Sequence, residues 1–152
     1  MKLLCDRVFA CDSQVLAELR ALLRQVCQQA GCNDQTIEQI VLAVNEACMN
    51  ILVHGYDYRQ SHVAGQTLRL LLLTDDGELL VRVLDHARPV SEADWQPRAL
   101  DDLRPGGLGV HFMREVMDTV GYLQPPDGYS NLLQMTKRIA PATGYPVLNQ
   151  AP

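Results

Sequence analysis

The sequence predicts an α+β domain: a two-layer α/β sandwich in which a mixed, mostly antiparallel sheet carries helices on one face. Two observations lead to it. Periodic segments follow one another as β-α-α-β-β-α-β-β, an order that does not suit a doubly wound parallel sheet. Within it, Asp75-Asp76-Gly77 joins two strand-like runs and is a strong signal for a tight hairpin, which makes those strands antiparallel neighbours. The chain has 152 residues, of which 47% are hydrophobic and 20% charged. This suits one soluble domain with a substantial core.

Lys2 to Ala10 reads as the first strand. Asp12 or Ser13 can cap a helix whose apolar positions are Val15, Leu16, Leu19, Leu22, Leu23, Val26, Cys27 and Ala30, and Gly31 fits its stop. Asn33 or Asp34 can cap the next helix, which ends near His54-Gly55. Its stripe of Ile37, Ile40, Val41, Val44, Cys48, Ile51 and Leu52 should face a core. Gln66 to Thr74 and Glu78 to Asp85 are the hairpin strands. A loop rich in Pro, Asp and Arg runs from His86 to Pro105, and helix resumes after Gly106-Gly107-Leu108-Gly109. Gly121 to Gln124 is a short strand and Asn131 to Ile139 a closing one, so the domain is expected over 1–139, with a flexible tail over 140–152.

Composition limits the function. The net charge of −5 argues against nonspecific binding to nucleic acid or an anionic membrane. The run Leu70 to Leu73 is too short to cross a bilayer, and no signal-peptide core stands at the start. Five cysteines without a C-x-x-C unit fit reduced thiols in a cytoplasmic protein. The four histidines (His54, His62, His86, His111) lack zinc spacing, and Ser13, Ser61, Ser91 and Ser130 lie in no nucleophile elbow.

The chemistry gathers in three places. Glu46, Asn50 and His54 stand at i, i+4 and i+8 of the second helix, with Glu46 and Asn50 nearly opposite its apolar stripe. A carboxylate and a carboxamide so placed can accept a proton and bind a hard cation. Asp85 shares a strand face with Leu79, Val81 and Val83, the face expected under the helices, whereas Leu80, Arg82 and Leu84 take the more exposed one. A carboxylate there needs a donor, either structural or the exocyclic amine of a bound base. Last, Gly106-Gly107-Leu108-Gly109 opens a helix, so close backbone approach and free N–H groups favour a phosphate. Neither the P-loop pattern nor the dinucleotide G-x-G-x-x-G is present.

Together E-A-C-M-N-I-L-V-H-G-Y, D-H-A-R-P and G-G-L-G-V-H-F-M-R-E-V-M-D resemble the bacterial anti-sigma factor serine kinases, relatives of histidine-kinase and gyrase ATPase domains that share the Bergerat ATP-binding fold. The resemblance covers roughly residues 1–139. It implies ATP and Mg2+ as cofactors, Glu46 as the catalytic carboxylate and Asn50 as the magnesium ligand. It also implies that Asp85, with Ala87 beside it, meets the adenine, and that Gly107, Leu108 and Gly109 lie at the phosphates beneath a mobile lid. Ala87 departs from the family's D-x-G-x-P box, where glycine is usual. If that position needs positive φ or touches the base, the methyl weakens ATP binding; on an ordinary backbone it is harmless. The lid residues Arg88, Arg98 and Arg104 could reach a triphosphate, and Trp95 could pack the lid or meet a partner.

The function the resemblance implies is a protein serine/threonine kinase in a partner-switching pathway. Its substrate would be a STAS-domain anti-sigma factor antagonist, its second client a sigma factor or other regulator, and its oligomeric state a homodimer. The alternative is a module that keeps the fold, has lost kinase activity and works by stoichiometric capture. Ala87 favours capture, and the intact Glu46/Asn50 pair opposes it.

Overall fold

In a computed structural model the chain is described over residues 1–56, 65–91 and 108–139. The elements are β1 (Lys2–Ala10), α1 (Val15–Gln29), α2 (Asp34–Asn50), β2 (Thr67–Asp75), β3 (Glu78–Asp85), α3 (Leu108–Val116), β4 (Thr119–Leu123) and β5 (Asn131–Arg138), in the expected order. The strands form one sheet in the order β1-β2-β3-β5-β4. Every pairing is antiparallel, so the described strands contain none of the parallel pairing that a mixed sheet would include.

Helix boundaries follow from local chemistry. Asp12 does not cap α1 directly. Its carboxylate accepts from the Gln14 N–H at 2.9 Å, an Asx turn that steers the chain into the helix, and Gln14 takes the N-cap position without a side-chain bond. At the far end Gly31 adopts φ 84°. The Cys32 N–H then donates to the Cys27 carbonyl and the Gly31 N–H to the Gln28 carbonyl, each at 3.0 Å. This pair of bonds is a Schellman motif, which glycine permits and a side chain would strain. Asn33 follows at once and caps α2, its Oδ1 accepting from the Thr36 N–H at 2.8 Å.

Beyond Asn50 the helix widens into a π-helical turn over Ile51–Gly55, closed by the Tyr56 N–H on the Ile51 carbonyl at 2.8 Å. From Asp34 to Gly55 the 22 residues are long and apolar enough to cross a bilayer. They spend that apolar face inside the domain: Ile40, Ala43, Val44 and Cys48 have no exposed surface. A fully buried side chain of this size stabilises the fold by about 1.5–3 kcal/mol, so α2 is the central core helix.

The hairpin is as expected. Asp75 pairs with Glu78 across a two-residue turn in which Asp76 and Gly77 both have positive φ. Leu79, Val81, Val83 and Asp85 lie on the covered face, flanked by Leu68, Leu70 and Leu72 of β2 and by Asn131, Leu133 and Met135 of β5. The opposite face departs from the sequence reading, because Leu80 and Leu84 are buried there and only Arg82 is partly exposed. The central position of β3 explains it: Leu84 lies between Arg69 and Leu132, and Leu80 between Leu73 and Thr136. Exposed apolar residues on that face, Leu3, Val8 and Leu123, belong to the edge strands.

Because Asn33 sets where the core helix begins, Asn33→Ala should destabilise the fold by about 1 kcal/mol. Urea denaturation should show a lower midpoint at unchanged slope.

Candidate active site

Glu46 and Asn50 stand one turn apart on α2, both half-buried. The first turn of α3 lies directly over them. A Cβ built on Gly109 would come within 2.8 Å of Glu46 Oε2, 3.6 Å of Glu46 Cβ and 3.7 Å of Asn50 Nδ2. The start of α3 thus packs directly against the acid–amide pair, and a side chain at position 109 would have to push the Glu46 carboxylate aside. A helix opening presents N–H groups without partners inside the helix and a partial positive charge, which favour an anion.

Leu108 is the first residue of α3, and its side chain lies outside the described residues, as do Gly107, Trp95, Arg98, Arg104 and the tail over 140–152. His54 sits in the π turn, which breaks the α-helical phase set by Glu46 and Asn50, and it is exposed. Cys48 is fully buried and its thiol is pushed up to about 12 by that burial, consistent with a core role.

Asp85 ends β3 with 2% of its surface exposed. Its Oδ1 accepts from the Ala87 N–H and from Asn131 Nδ2, both at 2.8 Å. Among the described residues the hydrogen bonds to this carboxylate both fall on Oδ1. Burial raises the carboxyl above its ordinary 3.8, and the bonds from Asn131 and Ala87 pull the other way.

Asn131 is a site residue that the sequence reading passed over. Buried opposite Asp85 in the strand register, it also donates to the Arg88 carbonyl at 3.1 Å and accepts from the Val90 N–H at 2.8 Å. One carboxamide thus orients the acid and ties down the chain that leaves β3. Its signal was a polar residue in phase with the apolar Leu133 and Met135.

Tyr56 has a comparable bridging place. Its hydroxyl donates to the Thr67 carbonyl at 2.9 Å and accepts from the His86 N–H at 2.7 Å, and burial pushes its pKa up to about 12. His86 stacks on Tyr129 with ring centroids 4.7 Å apart.

Ala87 can now be placed. Its φ is not positive, since Asp76 is the only non-glycine residue with positive φ among the described residues. The residue is buried, and its methyl faces the helix end: a Cβ on Gly55 would lie 2.7 Å from Ala87 Cβ. Backbone strain is therefore no objection to alanine here.

The described residues contain no group of three or more His, Cys, Asp and Glu able to hold a metal. The Glu46 carboxylate and the Asn50 carboxamide are nonetheless hard oxygen donors. Magnesium commonly takes only one or two protein oxygens and completes its shell with phosphates and water, so this donor set fits it.

An antiparallel sheet covered by helices, with an acid–amide pair on the core helix beneath a glycine-led helix start, defines the histidine-kinase-like, or Bergerat, class of ATP-binding folds. The chain belongs to the histidine kinase-like ATPase domain family, whose profile matches residues 9–137. It is 29% identical over 108 residues to the serine-protein kinase RsbW of Bacillus pumilus, covering 67% of each chain. To the anti-sigma F factor of Clostridium acetobutylicum it is 24% identical over 110 residues, covering 70% of this chain and 73% of that one. The crystal structure of the RsbU and RsbW domains of Rv1364c from Mycobacterium tuberculosis superposes with a TM-score of 0.57 at 19% identity. That match covers 89% of this chain but spans only 32% of the longer one, and it speaks for the fold alone.

Two outcomes follow from this geometry. Asp85→Asn can keep the bonds from Ala87 and Asn131 on its carbonyl oxygen while turning its NH2 to where Oδ2 was. ATP affinity measured by calorimetry should fall about 10-fold or more, with the fold retained. The folded carboxyl of Asp85 keeps its proton to higher pH than the unfolded one, so its contribution to stability is complete below 3.8 and is lost as pH rises through the folded value. The melting temperature of Asp85→Asn relative to wild type should accordingly rise with pH across that window.

The second concerns Gly55. Gly55→Ala drives two β-carbons that have no freedom to rotate apart into contact, and should cost about 1–3 kcal/mol. Adding Ala87→Gly should recover most of that loss in a double-mutant cycle read by denaturation.

Proposed function

We propose that this chain is an ATP-dependent protein serine/threonine kinase that regulates a partner in the manner of an anti-sigma factor. The observation that carries this reading is the approach of Gly109 to Glu46 and Asn50, which sets a general-base candidate and a cation ligand against the positive end of α3. Support also comes from relatives named serine-protein kinase RsbW and anti-sigma F factor.

Phosphoryl transfer asks mainly for positioning and charge stabilisation. In this reading Oδ2 of Asp85 accepts from the adenine amine, with Asn131 fixing the carboxylate's orientation. Glu46 accepts the proton of the attacking hydroxyl as the new P–O bond forms and the bond to the ADP oxygen breaks. The opening N–H groups of α3, with Gly107, Leu108 and Gly109, steady the phosphates. A magnesium ion held by Asn50 would neutralise phosphate charge when bound.

The substrate we propose is a serine or threonine of a STAS-domain anti-sigma factor antagonist, and the second client a sigma factor or other regulator. A phosphate adds about −1.5 to −2 charge at neutral pH. On a partner facing a chain of net charge −5, that favours release. Cytoplasmic location and a homodimer complete the proposal.

The rival reading, capture without catalysis, drew on Ala87. The ordinary φ at that position removes its backbone argument. Glu46→Gln separates the two, because shape and hydrogen bonding are nearly preserved. For a kinase, ATP and partner binding should persist while incorporation of labelled phosphate falls about 100-fold or more. A wild-type protein that binds the partner and transfers no phosphate would establish capture instead. Asn50→Ala should remove the magnesium dependence of ATP binding, measured by calorimetry with and without the metal. Equal affinities in mutant and wild type would take Asn50 out of the metal site.

A further inference from the structure

Oxidation chemistry is the property that the nucleotide site does not use. Of the five cysteines, Cys27 and Cys32 are brought together by the end of α1. The Schellman motif places the residue after Gly31 back over the last full turn, where a hydrophobic pair usually meets. Here that pair consists of two thiols. The Cys32 N–H holds the Cys27 carbonyl at 3.0 Å, and both side chains lie in the hydrophobic core beside that bond.

Their surroundings differ in a useful way. Cys27 has no exposed surface and lies in the core of α1, whereas Cys32 retains 8% exposure just before the Asn33 cap. The Cys27 S–H donates to Cys32, so the Cys32 thiol ionises below its ordinary 9.0 and Cys27 is held protonated. Cys11 and Cys48 lean the other way, burial raising them to about 11 and about 12. The more exposed of the two thiols is thus also the one that ionises more readily, and it is folded back over a fully sheltered one.

We propose that Cys27 and Cys32 form a peroxide-sensitive dithiol that closes to an intramolecular disulfide at the α1–α2 corner. The Cys32 thiolate attacks one oxygen of hydrogen peroxide; the S–O bond forms, the O–O bond breaks, and with one proton taken up the second oxygen leaves as water. The Cys27 thiol then attacks the Cys32 sulfenic acid. The S–S bond forms, and the sulfenic oxygen departs as a second water carrying the Cys27 proton. Both sulfurs are oxidised by one electron each, and one peroxide is reduced to two waters. Cys32 lies outside α1, just past Gly31, so the disulfide would join the last turn of the helix to the residue folded back over it.

Peroxide treatment of the full chain, then alkylation under denaturing conditions and peptide mapping, tests the proposal. The expected product is a Cys27–Cys32 cross-linked peptide pair about 2 Da lighter than the two thiols. Cys5, Cys11 and Cys48 should remain alkylated, and dithiothreitol should restore both thiols. Cys32→Ser should abolish the cross-link. In Cys27→Ala, Cys32 should stop at the sulfenic acid and be captured by a cyclic dione. A link from Cys32 to Cys11 or Cys48, a disulfide between chains, or labelling of both Cys27 and Cys32 at peroxide doses that oxidise free cysteine would each overturn it. The wild-type map decides the matter even if the Cys27→Ala chain does not fold.

Discussion

A carboxylate buried at the end of a central strand has to be met by donors, or its charge opposes folding. Around Asp85 those donors come from two directions, the backbone of the turn that follows it and the carboxamide of Asn131 on the neighbouring strand. The two donors converge on one oxygen, which satisfies enough of the acid to keep it in the fold. Asn131 also reaches the Arg88 carbonyl and the Val90 N–H, so the strand pairing of β3 with β5 sets the direction in which the chain departs.

Two close approaches shape the other half of the site: the first turn of α3 at Gly109 lies against Glu46 and Asn50, and Gly55 makes room for the methyl of Ala87. The first contact sets the start of a helix against the carboxylate and carboxamide of α2. The second fits the end of α2 against the turn after Asp85. Both contacts converge on the helix that carries the apolar core, so the arrangement of these groups is as rigid as the packing beneath it.

Much of this was legible in the residues. The hairpin could be read from Asp76-Gly77, the cap of α2 from Asn33, and the covered face of β3 from its alternation, because each depends on local chemistry or on a short period. The burial of Leu80 and Leu84 could not, since it depends on strand order and not on the pattern within β3. Asn131 was missed for the same reason: its partner is 46 residues away, and nothing near it in the chain calls for a carboxamide. The role of Ala87 turned on a backbone angle and on a neighbour across the fold, neither of which a motif records.

The π turn that ends α2 holds one residue more than an α-helical turn of the same reach. Its surplus residue acts as a spacer that sets the azimuth of everything after Ile51. Rewinding Ile51–Gly55 as regular α-helix, with no residue removed, would advance the following residues by one position, about 100°. Gly55 would then turn from Ala87, and the Tyr56 hydroxyl would leave both the Thr67 carbonyl and the His86 N–H. The fold therefore depends on the width of this turn, and a change that merely regularised its winding would pull the end of α2 away from the turn after Asp85 while leaving every side chain of the site in the sequence.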